Sequence, residues 1–127
     1  MVVPTETVYG IACAPEHIEA LYCAKERDRG KPVARLPASL DQVEALGADF
    51  DRPIALTSAN KSGGADPTNA QDAFQCLETA VPLFLDSGET DTKVPSTVLL
   101  CTADETKVLR ERAISSADVK AATLASS

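Results

Sequence analysis

Tryptophan is absent from the sequence, and aromatic residues make up only 4% of it. A core, if one forms, must therefore rest on Val, Leu, Ile and Ala. Histidine occurs once, as His17. An Asp-His-Ser arrangement would have to use it, yet it lies in a predicted helix with no matching motif. Four cysteines stand at 13, 23, 76 and 101 without a single C-x-x-C pair, which excludes the common structural zinc frameworks. Their apolar contexts predict free thiols in a reducing compartment. No Walker-type G-x-x-x-x-G-K-[ST] loop is present, and no dinucleotide fingerprint follows a strand. No apolar run reaches membrane-spanning length, so no membrane partner is expected. Met1 leads directly into Val2-Val3-Pro4, which predicts no signal or transit peptide and a cytoplasmic chain. A mitochondrial location fits if an N-terminal segment precedes this one.

What is present is an ordinary globular mixture. The 127 residues are 44% hydrophobic and 24% charged, which predicts one ordered domain of modest stability reserve. The formal net charge is -7, so the chain as a whole repels nucleic acid and anionic membrane. The segment Lys25 to Arg35 breaks this pattern, with Lys25, Arg27, Arg29, Lys31 and Arg35 against Glu26 and Asp28. It reads either as a solvated helix end or as a local anion site.

Strands and helices alternate along the chain, which predicts an α/β fold. Met1 to Val3 reads as the tail of a strand. A helix follows Pro15, with Ile18, Leu21 and Tyr22 on one face and a stop at Gly30 and Pro32. Ser39-Leu40-Asp41-Gln42 opens a second helix with Leu40, Val43 and Leu46 buried, ended by Gly47. Pro53 to Thr57 is a buried strand running into the loop 58–64, rich in hydroxyls, amide and glycine. Thr68-Asn69-Ala70-Gln71 reads as a capping box, with Ala70, Phe74 and Leu77 as the core face of its helix. Leu83 to Leu85, Thr97 to Cys101 and Lys107 to Arg110 are predicted strands. Ser115 or Ser116 caps a weak last helix. Residues 1–115 form the predicted domain and 116–127 a tail.

Polar groups recur at the strand ends, where α/β folds place ligand sites. They are Thr5 and Thr7, Lys25, Arg27 and Lys31, Ser58 and Asn60, Ser96 and Thr97, and Arg110. Taken singly, Thr5 and Thr68 are equally well turn residues or caps, Ser58 and Asn60 turn residues, and Arg110 an exposed strand-end charge. The residues alone thus reach an anion-binding α/β domain.

Five motifs in fixed order resemble one family. Pro4-Thr5-Glu6-Thr7-Val8-Tyr9-Gly10 is similar to the P-T-[ED]-T-[VL]-Y-G opening of the YrdC-like family. Lys25-Glu26-Arg27 with Lys31-Pro32 resembles its K-x-R…KP stretch, and Thr57-Ser58-Ala59-Asn60-Lys61-Ser62-Gly63 its T-S-A-N-x-S-G loop. Pro95-Ser96-Thr97-Val98 resembles P-S-T-V. Val108-Leu109-Arg110 with Ala113-Ile114 resembles I-[IL]-R-x-G-[AC]-I.

The resemblance implies a twisted mixed sheet of about four to six strands with flanking helices, a usual sheet size. It implies an L-threonylcarbamoyladenylate synthase, which forms threonylcarbamoyl-AMP and pyrophosphate from threonine, bicarbonate and ATP. A tRNA-modification transferase complex acts downstream. By the resemblance, Lys25, Arg27, Lys31, Asn60, Thr68 and Arg110 contact ATP. Thr5, Arg35, Ser58 and Ser96 hold threonine, Arg35 suiting its carboxylate as a bidentate donor. Mg2+ rides on the phosphates, and no side chain is assigned as acid, base or nucleophile. Two other classes fit less well. One is a non-catalytic remnant binding nucleotide, tRNA or double-stranded RNA, against which the net acidity counts. The other is the carbamoyl-adenylate chemistry of hydrogenase maturation, whose acylphosphatase and zinc-finger-like segments are missing.

The sequence departs from the family at three places. The long middle block with its P-G-P-[LV]-T segment is absent, the deletion falling near Val33-Ala34. A family histidine soon after K-P is lost with it. Arg112 stands where the closing motif has glycine, a position where left-handed backbone is expected. The shortened chain is therefore expected to be a poorer enzyme than a complete member.

Overall fold

The computed structural model describes residues 1–36, 54–101 and 105–125, with only the backbone of 35, 36, 101 and 123–125. The predicted helix from Ser39 to Gly47 lies outside the described residues.

Four strands form the main sheet in the order β1-β2-β4-β3. They are β1 (Val2–Val3), β2 (Gly10–Cys13), β3 (Ala34–Leu36) and β4 (Ile54–Ser58). Every ladder is antiparallel, with Gly10 opposite Ser58, Cys13 opposite Ala55 and Arg35 opposite Ala55 from the other side. A Cβ on Gly10 would stand 2.7 Å from Leu56 Cδ1, so a larger residue there would require the Leu56 side chain to shift. The predicted strand Leu83–Leu85 is a single parallel bridge, Phe84 to Val2. Its two bonds are Val2 N to Leu83 O (2.7 Å) and Leu85 N to Val2 O (3.0 Å). That bridge is the one parallel pairing among the described residues.

Helix α1 (Ile18–Lys25) follows a 3-10 turn at Pro15–His17, and buries Leu21 and Tyr22 as its spacing predicts. It ends earlier than Gly30 and Pro32 suggest. Glu26 takes the left-handed C-cap conformation (φ 51), and its N–H and that of Arg27 satisfy Cys23 O and Tyr22 O. In α2 (Ala70–Leu77) the cap is Asn69 rather than Thr68. Asn69 Oδ1 accepts from Asp72 N at 2.8 Å, so the box closes with an aspartate one residue later than predicted. The buried face is Ala70, Ala73 and Leu77. Phe74 is half exposed and meets Phe84 edge-on, with ring centroids 5.3 Å apart.

The core joins Val2, Tyr9, Ile11, Leu21, Ala59, Ala73, Leu77 and Val81. Its many alanines match the shortage of aromatics. The last two strands, β5 (Val98–Cys101) and β6 (Thr106–Arg110), form a separate two-stranded antiparallel hairpin. Thr97 closes its base: Oγ1 donates to Ile114 O (2.7 Å) and accepts from Arg112 N (3.0 Å) and Ile114 N (3.1 Å). Arg112 is not among the positive-φ residues, so the family's glycine is not required there by backbone conformation. Helix α3 (Ser116–Ala125) is capped by Ser115, whose Oγ accepts from Asp118 N.

Candidate functional site

The left-handed turn at Glu26 divides the K-x-R motif. Lys25 points inward and is 1% exposed, whereas Arg27 on the far side of the turn is half-buried. A non-glycine residue in this conformation costs roughly 1–2 kcal/mol. An ion pair, Lys61 Nζ to Glu26 carboxylate at 2.8 Å, ties the turn to the loop 58–64.

Lys25 enters that loop. Its ammonium donates to Ser58 O, to Asn60 O at 2.6 Å and to Asn60 Oδ1 at 3.2 Å. Ser62 N returns a bond to Lys25 O at 2.8 Å. Asn60, 4% exposed, also accepts from Ser58 Oγ (2.6 Å) and donates through Nδ2 to Gly64 O (2.6 Å). Burial pushes the Lys25 ammonium down to about 8, with Arg27 adding to the effect and Asp66 and Cys76 opposing it.

The other basic residues divide clearly. Arg27 Nε and Nη2 donate to Lys31 O (3.2 Å) and Pro32 O (3.0 Å), curling the loop around the guanidinium. The Lys31 side chain is exposed, and Tyr22 OH donates to its carbonyl at 3.0 Å. Arg29 is paired with Glu19 at 2.8 Å on the surface. Among the described side chains of this segment, Arg27 and Lys31 are therefore the cations neither buried nor paired with a carboxylate.

A second centre is Tyr9, which is fully buried. Its hydroxyl donates to Gly88 O (2.7 Å) and accepts from Ser87 N (3.0 Å). Its own N–H donates to Pro67 O and its carbonyl accepts from Ala59 N, both at 2.8 Å. The turn before it is knitted by Thr5, whose Oγ1 accepts from Thr7 N and Val8 N (both 3.2 Å) and donates to Val8 O (2.6 Å). The 86–92 loop closes the ring through Thr90 N to Thr68 O (2.8 Å) and Thr92 N to Glu6 O (3.1 Å).

A cleft of about 200 Å³ is lined by Pro15, Ile18, Tyr22, Pro32, Val33 and Ala55. None of the predicted ligand residues lines it.

Comparison with known proteins fits this arrangement. The Sua5/YciO/YrdC family profile, described as telomere recombination, matches residues 1–51 and 42–112. The chain belongs to this family. The threonylcarbamoyl-AMP synthase of Bacillus subtilis is 38% identical over 77 residues, 61% of this chain and 22% of that protein. The synthase of Schizosaccharomyces pombe is 36% identical over 76 residues, 60% of this chain and 19% of that protein. Two structures of P. abyssi Sua5 share the fold at 22% identity. A double-substitution variant has a TM-score of 0.85, covering 94% of this chain and 54% of that one. The form complexed with L-threonine has a TM-score of 0.83, with coverage of 93% and 52%. The chain spans less than a quarter of these curated relatives and about half of the solved chains.

Within this Sua5/YciO/YrdC chain, Lys25, Ser58 and Asn60 form one hydrogen-bonded cluster. Tyr9 holds the segments bearing Thr5, Ser58, Asn60 and Thr68 together. Ser96 and Arg110 meet on the hairpin, Arg110 Nη2 donating to Ser96 O at 3.2 Å. No bond described links that pair to the Tyr9 ring. Arg35 lies on β3 beside Ala55, and its side chain falls outside the described residues. Of the residues predicted to contact ligand, Lys25 donates to three protein oxygens, and the Thr5 hydroxyl bonds within its own turn. Tyr9 was missed as an organiser, because a lone buried tyrosine gives no sequence signal beyond its place in the P-T-E-T-V-Y-G motif.

Proposed function

We propose that this chain binds ATP and L-threonine at the loop 58–64 and serves threonylcarbamoyl-AMP synthesis for tRNA modification. The observation carrying this reading is the meeting of two motifs distant in sequence, the Lys25–Arg27 turn and the Ser58–Asn60 loop. Membership of the Sua5/YciO/YrdC family and the names of its relatives support the chemistry. The solved relative complexed with L-threonine supports the amino-acid substrate.

In the reaction, the threonine amine takes up bicarbonate as a carbamate, releasing water. A carbamate oxygen forms a bond to the α-phosphorus of ATP, the bond from that phosphorus to the bridging oxygen breaks, and pyrophosphate carries away the electron pair. Such transfers depend on positioning and charge stabilisation. Arg27 and Lys31 would neutralise the triphosphate, with Arg110 as a further cation. Asn60 and Thr68 would border the nucleotide, and Arg35, Ser58 and Ser96 the threonine. Among the described residues no group of three or more His, Cys, Asp or Glu is placed to hold a metal ion. Mg2+ would therefore arrive on the phosphates.

Mass spectrometry of a mixture with ATP, threonine and bicarbonate tests the reading. Threonylcarbamoyl-AMP is the expected product, and ADP or AMP alone would refute it. Arg27→Ala should weaken ATP binding roughly ten- to hundredfold by calorimetry, from the usual strength of a charged hydrogen bond.

A further inference from the structure

The Lys25 ammonium has three N–H groups, and three oxygens surround it: Ser58 O, Asn60 O and Asn60 Oδ1. They belong to the loop that carries the proposed ligand residues. The ammonium is buried with 1% exposure, so water does not compete for these bonds. Residues 58 and 60 are held to each other by Ser58 Oγ to Asn60 Oδ1, and residue 62 is held to the Lys25 carbonyl. The lysine thus spans the loop from inside while its own helix end supplies Arg27 to the outside.

We propose that Lys25 is a positioning residue, whose protonated side chain sets the backbone of residues 58–62 for ligand binding and whose deprotonation loosens that loop. A neutral amine keeps only two N–H groups and turns a lone pair toward the third oxygen, so one contact changes from attractive to repulsive. The charged and titratable groups acting on it are Arg27 at the end of its own helix, Asp66 beyond the loop and Cys76 on α2. Burial and Arg27 favour the neutral form, Asp66 and Cys76 oppose them, and the balance brings proton loss to about 8. Ligand binding should therefore have an alkaline limb within an accessible pH range.

The readout through ATP rests on the proposed nucleotide reading, so two measurements separate them. Calorimetry with Mg–ATP on the unaltered chain should show affinity falling roughly tenfold between about pH 7 and 9, the order expected for one charge-assisted hydrogen bond. Lys25→Met, which keeps the length but not the charge, should bind weakly at pH 7 and show no such limb. This variant also controls for the cysteines and the amino terminus. A flat profile in the unaltered chain, or wild-type affinity and slope in Lys25→Met, would overturn the proposal. Absence of ATP binding at pH 7 would instead remove the nucleotide reading. The inference would then be decided by NMR of the unliganded chain, following the Lys25 ε-methylene and the Asn60 side-chain amide. A shared midpoint near the Lys25 titration supports it, and an Asn60 amide unmoved through that titration refutes it.

Discussion

Replacing Asn60 by alanine removes three hydrogen bonds from the interior of the site. The ammonium of Lys25 loses its 3.2 Å acceptor, Ser58 Oγ its 2.6 Å acceptor, and Gly64 O its 2.6 Å donor. Gly64 is exposed, so water replaces that donor at little cost. Ser58 is half-buried, and the ammonium fully buried, so their losses dominate. A neutral group left unpaired costs about 1 kcal/mol or more, and a charged one about 1.5–3, giving on the order of 3 kcal/mol in all. That is a large part of the roughly 5–15 kcal/mol typical of a domain. Asn60→Asp keeps an oxygen toward Lys25 and adds an opposite charge, while a carboxylate oxygen replaces the donor to Gly64 O and must turn away from it toward solvent. It should recover more than half the loss and raise the Lys25 pKa toward its ordinary 10.5. Urea unfolding at pH 7, compared at constant slope, measures both. A loss below roughly 0.5 kcal/mol in Asn60→Ala, the size of an ordinary surface change, would refute the reasoning. So would an aspartate variant as unstable as the alanine one.

Tyr9→Phe leaves Ser87 N without its 3.0 Å acceptor and Gly88 O without its 2.7 Å donor; with both turn residues exposed, about 1–2 kcal/mol should be lost in thermal unfolding. Unchanged stability would remove Tyr9 as organiser. Lys25 also predicts a pH dependence of stability. Its folded pKa of about 8 lies below its ordinary 10.5, so the unfolded chain binds more protons in that window and stability rises with pH across it. Cys13, raised by burial from 9.0, acts with the opposite sign, so the difference between the unaltered chain and Lys25→Met isolates the lysine. Equal slopes in the two proteins would contradict the assignment. Thiol titration in denaturant without reductant should count all four cysteines, in keeping with Cys13, Cys23 and Cys76 standing free; a count of two or zero would mean disulfides.

The elements with strong local signals were legible in the sequence. Apolar spacing placed α1 and its buried Leu21 and Tyr22, and short apolar runs placed β4, β5 and β6. Cap positions were less legible, because Thr68 and Asn69 are both good caps and only the bond to Asp72 N distinguishes them. The face of α2 shifted from Phe74 to Ala73, since the α2 core position at residue 73 is fully buried while Phe74 packs at the rim on Phe84. The motif order identified the family, but not the direction in which each lysine points. Lys25 and Lys31 look alike as sequence; the left-handed turn at Glu26 follows one as it enters the core, while the other stays at the surface. No pattern of residues announces such a turn at glutamate, where glycine is usual.

Pyrophosphate release from ATP tests the central claim most directly, measured with and without threonine and bicarbonate. It should be run on this chain and on one with a family middle block inserted after Ala34. Only Val33 and Ala34 separate Lys31-Pro32 from Arg35, so the cations proposed for the phosphates and for threonine come from one short segment. Misplacement of about 1 Å can cost around a hundredfold in rate. The account predicts release that requires both threonine and bicarbonate, slow in this chain and faster in the restored one. Release indifferent to threonine and bicarbonate, or equal rates in the two chains, would contradict it.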